Sequence, residues 1–249
     1  MNEPRPPGRL RPRYVRRVTD EHVGQRVSVR HLVDDADRGP RPADVVGRLA
    51  ALDDDVMLVI DRHGDLVTLD PARVVASRVI PPHPRRPPEP PVGTRTAPLV
   101  RDAARTLLVD DADRVLLVAH TPGDGRRVWT APGGGVQTGE DHREAARREV
   151  SEEIGIEVEP GPWVWHRRVV FPFRRVWLDQ RERWFWCRVT DPPDAAETPL
   201  VDAGIVEARW WSPDDLAEAS DELAPARLAD HLGVLLADGL PDDPVDVGE

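Results

Sequence analysis

The sequence predicts two domains: a small all-β barrel followed by a mixed α/β domain, joined by a proline-rich hinge. Three observations predict it. Residues 1–96 carry 17 arginines against 14 acids, a net +3, whereas residues 97–249 carry 17 against 31, a net −14. All eight tryptophans fall between Trp129 and Trp211. Between the halves stands Pro81-Pro82-His83-Pro84-Arg85-Arg86-Pro87-Pro88-Glu89-Pro90-Pro91. Proline fixes φ and withholds a backbone donor, so neither a helix nor an interior strand forms there, and 81–96 is expected to be an extended polyproline II linker. A length of 249 residues suits one large domain or two small ones.

Residues 1–19 are charged and proline-containing, without the apolar stretch of a signal peptide, and are expected to be a disordered tail. The barrel is placed at 20–80. Arg26 to Val33 alternates polar and apolar residues, the period of a half-buried strand. A polar loop, Asp34 to Pro42, precedes a second run from Val45 to Leu52. Asp53-Asp54-Asp55 turns into Val56–Ile60, and Arg62-His63-Gly64-Asp65 turns into Leu66–Leu69. Pro71-Ala72-Arg73 reads as a single helical turn before Val74–Ile80. Five short strands in so few residues suit a partly open barrel. The strand pattern, with Asp-Val-Val-Gly, an acidic turn and a terminal Val-Ile-Pro-Pro, resembles the SH3-like module found ahead of some actinobacterial acetyltransferase domains. It carries no catalytic motif, and its charges are interspersed with only Tyr14 to stack on a base, so nucleic-acid binding is not expected. The barrel reads as a structural or partner-binding appendage, offering a surface to a second copy of the chain or to a protein partner.

In the second domain, placed at 97–240, Leu99–Val109 and Arg114–Ala119 read as strands joined by the turn Asp110-Asp111-Ala112-Asp113. Trp129-Thr130-Ala131-Pro132-Gly133-Gly134-Gly135 reads as a loop too glycine-rich for regular structure and suited to close approach by a ligand. A helix is expected after Glu140. Asp141 with Glu144 forms a capping pair, Ala146, Val150 and Ile154 form its apolar stripe, and Gly155 ends it. Glu149, Glu152 and Glu153 stand at i, i+3 and i+4 and so share one face. Carboxylates that close repel, and a divalent cation removes the penalty. With no His or Cys beside them, hard oxygen ligands favour Mg2+, or Mn2+, over zinc.

As a unit, Gly134, five residues, Glu140, seven residues, then Arg148-Glu149-Val150-Ser151-Glu152-Glu153-Ile154-Gly155-Ile156 is identified as the signature of the Nudix hydrolases. That resemblance implies an α/β/α sandwich around a mixed sheet. It also implies hydrolysis of the pyrophosphate bond in a nucleoside diphosphate linked to another moiety. Cation-bound water would attack phosphorus in line. By similarity Glu149, Glu152 and Glu153 are the metal ligands and catalytic residues, with the Gly134 carbonyl as a fourth ligand. Glu152 is the essential one, and whether it also acts as base stays open. Arg148 and Glu140 are expected to pair and orient helix and loop. The family often takes its base from a later glutamate, for which Glu182 is the candidate.

For the substrate, Arg126 and Arg127 before the loop are candidate phosphate clamps, Trp129 and Phe173 candidate stacking rings, and Gly133, Gly134 and Gly135 the cradle. Pro172 lies 16 residues beyond Ile156, resembling the spacing of ADP-ribose pyrophosphatases. The tyrosine of dinucleoside polyphosphate hydrolases is missing downstream, since Tyr14 is the only one. ADP-ribose or a nucleotide sugar is therefore favoured, then an oxidised nucleoside triphosphate. The alternative is a non-catalytic nucleotide sensor whose barrel binds a partner, although sensors often lose the glutamates kept here. Ala208–Leu216 reads as a last strand entering a helix, with Ser212 as N-cap and Pro213 first inside it. Ala226–Leu236 makes a final helix, and 241–249 a disordered acidic tail.

The remaining composition narrows the setting. The single cysteine, Cys187, excludes an intrachain disulfide framework and a multi-cysteine zinc site. No apolar run approaches the roughly 20 residues that span a bilayer, so a soluble cytoplasmic protein is expected. All 34 basic residues are arginine, a coding bias to which no function is attached.

Overall fold

The structure, a computed structural model, describes residues 17–33, 39–80, 93–121, 125–173, 176–190, 192 and 204–248. The proline run 81–91 and the first 16 residues lie outside them. No helix among the described residues is long and apolar enough to cross a membrane.

The N-terminal unit is built from β1 (Arg26–Val33), β2 (Arg41–Leu52), β3 (Met57–Asp61), β4 (Leu66–Leu69), one 3-10 turn (Pro71–Arg73) and β5 (Val74–Val79). Its antiparallel sheet runs in the order β4-β3-β2-β1-β5. The turns form because aspartates bond their own backbone. Asp53 Oδ1 accepts from the Asp55 and Val56 N–H groups, Asp61 Oδ1 from those of His63 and Asp65, and Asp70 Oδ1 from that of Ala72. Val27, Val29, Leu49, Met57, Val59 and Leu69 fill the interior.

β3 is buried on both faces, which a free-standing barrel would not require. Leu58 and Ile60 point away from the barrel core. With Ala50, Ala51 and Val56 they join Leu99, Val176 and Leu178 of the second domain in one apolar cluster. The separation into two hinged bodies expected from the proline run is therefore corrected: the two units share part of their core.

The second unit comprises β6 (Leu99–Asp110), β7 (Val115–His120), β8 (Val128–Thr130), β9 (Gly133–Gly135), α1 (His142–Ile154), β10 (Trp163–Phe173), β11 (Val176–Val189), β12 (Ile205–Trp211), α2 (Pro213–Ala217), β13 (Glu222–Ala224), α3 (Leu228–Asp238) and β14 (Val245–Asp246). The sheet runs β13-β8-β7-β6-β11-β10-β14, with β12 on β7 and β9 on β6. It is mixed, since β6 and β11 are parallel while β10 and β11 are antiparallel. α1 covers one face through Ala145, Ala146, Val150 and Ile154. α2 and α3 cover the other, over Trp129, Trp165, Trp184 and Trp211. The result is the expected α/β/α sandwich.

Two local expectations are corrected. The glycine run is no loop: Gly133, Gly134 and Gly135 pair with Arg105, Ala104 and Ala103 of β6. The C-terminal tail is ordered as far as residue 248, because Val245 and Asp246 pair with Trp165 and His166 and Val247 is buried.

Candidate active site

α1 positions the acidic side chains. Asp141 accepts from the Arg143 and Glu144 N–H groups at 2.8 Å each, while Glu144 accepts from the Asp141 N–H, so three of the four orphan donors at the helix start are satisfied. Gly155 closes the helix at φ 66°. With Ala146, Val150 and Ile154 against the sheet, Glu149 and Glu152 emerge at the helix edge nearest β9. Their carboxylates converge on one point, where Arg148 Nη1 lies 2.8 Å from each. Glu153 turns elsewhere: it is buried, and its Oε2 accepts the Gly133 N–H at 2.8 Å. Burial raises the Glu149 carboxyl, the Glu152 charge adds to that, and Arg148 and Arg101 oppose it. Gly134 has to lack a side chain, since a Cβ there would stand 2.7 Å from the Glu149 carboxylate.

Arg148 ties this centre to the preceding loop. It donates to both oxygens of Glu140, at 3.0 and 2.7 Å, and to the Gly135 carbonyl at 3.1 Å. Burial would lower its guanidinium, but Glu140, Glu149 and Glu152 hold it above its ordinary value.

Glu149 and Glu152 thus bind a positive group where the guanidinium stands, and with the backbone of Gly134 they offer only hard oxygen donors, which fits a divalent cation of the magnesium class. The fit differs in one respect from the sequence expectation. Among the described residues no three His, Cys, Asp or Glu side chains converge closely enough to hold a metal by themselves. Glu153 anchors the glycine strand instead of joining the other two.

Strand alternation sets a polar floor beside the helix. Arg101 and Arg105 on β6, Gln180 and Glu182 on β11, and Arg167 on β10 share a sheet face, through the register pairs Arg101–Gln180, Arg105–Trp184 and Arg167–Glu182. The floor lies between the tryptophan cluster under α3 and the cluster shared with the barrel. Glu182, proposed above as base, is only 2% exposed and saturated with donors. Arg105 Nε reaches it at 3.0 Å, Gln180 Nε2 at 2.7 Å, Trp184 Nε1 at 3.0 Å and Arg167 Nη1 at 3.6 Å. Burial pushes its carboxyl up, yet Arg105 and Arg167 together bring it below the ordinary carboxylate value. A carboxylate so held is a weak proton acceptor, which argues against a part as general base and for one in holding the floor together.

Other expected contacts also move. Arg126 and Arg127 are exposed and pair with Glu222 and Glu207, at 2.6 and 2.8 Å. Trp129 is 1% exposed, its Nε1 donates to Asp221, and its ring meets Trp211 edge-on at 5.0 Å. It is a core residue and stacks no base. Phe173 does reach the floor, where the Arg101 guanidinium lies 5.3 Å from its ring centroid. Sequence reasoning missed Arg101, Arg105, Arg167 and Gln180, although each stands at an even spacing from apolar residues of the same strand face and could have been placed by alternation.

The sequence model of the NUDIX domain matches residues 99–232, more than half of the chain. The chain is a Nudix hydrolase. Members of the family depend on divalent metal and act on small nucleotide substrates. A second model, the Rv0428c N-terminal Sm-like domain, matches residues 21–78 of this Nudix hydrolase, so its barrel is of the Sm-like kind. Nudix hydrolase 25 of Arabidopsis thaliana is 28% identical over 127 residues, 43% of this chain and 70% of that protein. Among solved structures, the E. coli ORF135 protein is 24% identical, covering 58% of this chain and 95% of that one with a TM-score of 0.42. A C. elegans Ap4A hydrolase is 22% identical, covering 55% and 98% with a TM-score of 0.43.

Proposed function

We propose that this Nudix hydrolase cleaves the pyrophosphate bond of a nucleoside diphosphate linked to another moiety, with ADP-ribose or a nucleotide sugar ahead of an oxidised nucleoside triphosphate. Water adds to one phosphorus, the bridging P–O bond breaks, and the products are a nucleoside monophosphate and the phosphorylated partner. The observation that carries this reading is the convergence of Glu149 and Glu152 on a single cationic group beside Gly134. Glu149, Glu152 and the Gly134 carbonyl would hold Mg2+, or Mn2+. The bound ion would neutralise the phosphate oxygens and lower the pKa of a bound water. Arg148 orients the two glutamates through Glu140, and Glu153 fixes the glycine strand against the helix.

An assay of nucleoside monophosphate release over a nucleotide panel with Mg2+ tests the reading. Turnover is expected on at least one nucleoside diphosphate-linked substrate, falling by about 10²-fold or more in E152Q, the loss typical of removing one transition-state charge stabiliser. No turnover on any member, with nucleotide binding unchanged by E152Q, would favour the sensor alternative.

A further inference from the structure

Three guanidiniums of the floor and helix edge each have a carboxylate. Arg105 and Arg167 have Glu182, and Arg148 has Glu140, Glu149 and Glu152. Arg101 has none among the described residues. Its Nη1 makes one long bond, 3.4 Å, to Gln180 Oε1, and its Nε is buried without an acceptor. The side chain lies flat across the glycine strand, where a Cβ on Gly135 would fall inside the guanidinium, and against the Phe173 ring. Burial lowers its guanidinium to about 10, the nearby Glu149 charge pulling it back up, Arg105 and Arg148 adding repulsion and Glu182 a weaker attraction, so it is still charged at neutral pH. A buried guanidinium that no carboxylate hydrogen-bonds is costly unless something binds it.

The place of Arg101 says what that something is. Gly135 follows Gly134, which abuts the Glu149 carboxylate, so the unpaired N–H stands one residue along the strand from the cation-holding centre. We propose that Arg101 is a phosphate-binding residue, donating to a phosphoryl oxygen of the nucleoside diphosphate while Gly135 and Phe173 hold its guanidinium in plane. A planar fork of donors suits two phosphate oxygens at once. Glu149 and Glu152 would then serve the pyrophosphate through a cation, and Arg101 would serve it directly. This rests on the hydrolase reading above and adds a direct protein contact to the substrate.

The test uses the full chain, with ADP as the binding probe and ADP-ribose as the substrate. R101Q is expected to keep or raise the melting temperature, because it removes a buried charge that no carboxylate hydrogen-bonds. It should weaken ADP binding by calorimetry roughly tenfold to a hundredfold, the worth of hydrogen bonds to a charged group. KM is expected to rise more than kcat falls, R101K to restore part of the affinity, and added guanidinium to rescue R101A. Equal ADP binding by native chain and R101Q overturns the proposal, as does no ADP binding by the native chain. So does a lower melting temperature with losses in kcat and KM that guanidinium fails to rescue. If the native chain turns over no nucleotide while ADP binding still depends on Arg101, the hydrolase reading fails and the phosphate contact stands.

Discussion

Glu182 shows how the surroundings of a buried side chain bear on the part it can play. An acidic residue on a strand beyond the helix suggests a base, yet among the described residues it is the one carboxylate paired with both Arg105 and Arg167 of the polar floor, and Arg105 in turn holds the Ala131 carbonyl at 2.8 Å. Removing the acid would strand both cations. E182A is therefore expected to lose about 3–5 kcal/mol, the usual cost of breaking a buried pair from one side, as measured by urea unfolding. The sign of its pH dependence follows from a folded pKa held below the unfolded one. The stabilisation is present above the unfolded carboxylate value near 4.3 and is lost as pH falls through the folded value. Acid unfolding of the native chain should accordingly show a loss below about pH 4 that E182Q lacks. In E182Q the acid limb of the kcat profile is expected to stay in place, whereas a shifted limb would restore Glu182 as a base.

α1 was legible because everything that starts and stops it is local. Asp141 and Glu144 stand three apart, the apolar stripe recurs every four residues, and Gly155 takes the left-handed position. D141A is expected to cost about 1 kcal/mol, the ordinary worth of an N-cap. The Glu144 N–H, followed by that of Arg143, lowers the Asp141 carboxyl. This contribution is therefore present above its unfolded pKa and disappears as pH falls through the folded one, and helix content by circular dichroism at pH 7 and pH 2 would register it. β1 was legible for the same reason, through alternation within the strand. β9, β13 and β14 were not, because strands of two or three residues exist only by pairing with distant partners, and no pattern of their own marks them. Gly133-Gly134-Gly135 has no side chains with which to alternate, and its strand character comes wholly from β6. The carboxylates divided in a similar way. Spacing put Glu149, Glu152 and Glu153 on one helix face, but only the position of β9 decides that Glu153 meets the Gly133 N–H while the other two meet Arg148.

The relation between the two domains was the least legible feature, since a run of prolines says how a segment is shaped and nothing about what its ends pack against. Leu58 and Ile60 of the barrel, at 0% and 2% exposure, lie in one cluster with Leu178 at 0%. Each such side chain stabilises by about 1.5–3 kcal/mol when fully buried, and several of them are a large share of the 5–15 kcal/mol by which a domain is typically stable. The contact also reaches the catalytic loop. The Thr138 N–H and hydroxyl both donate to the Thr68 carbonyl, at 3.3 and 3.4 Å, and a Cβ on Gly139 would stand 2.9 Å from Val33. A cavity of about 220 Å³ lies between these elements, reaching from His31 and Arg73 of the barrel to Glu140 and Arg148. The barrel thus holds the loop that carries Glu140, Glu140 holds Arg148, and Arg148 holds Glu149 and Glu152. If the barrel were the appendage that the sequence suggested, deleting residues 1–96 would leave turnover largely intact. The shared core predicts the opposite. The truncated chain 97–249 would expose Leu99, Val176 and Leu178 and is expected to melt about 10 °C or more below the full chain, with turnover reduced even where it remains folded. The full-length variant T138V, which keeps the apolar contact but loses the hydroxyl donor to Thr68, separates loop anchoring from folding. It should reduce kcat modestly at an unchanged melting temperature. A truncated chain with native melting temperature and native turnover would return the barrel to the status of a detachable module.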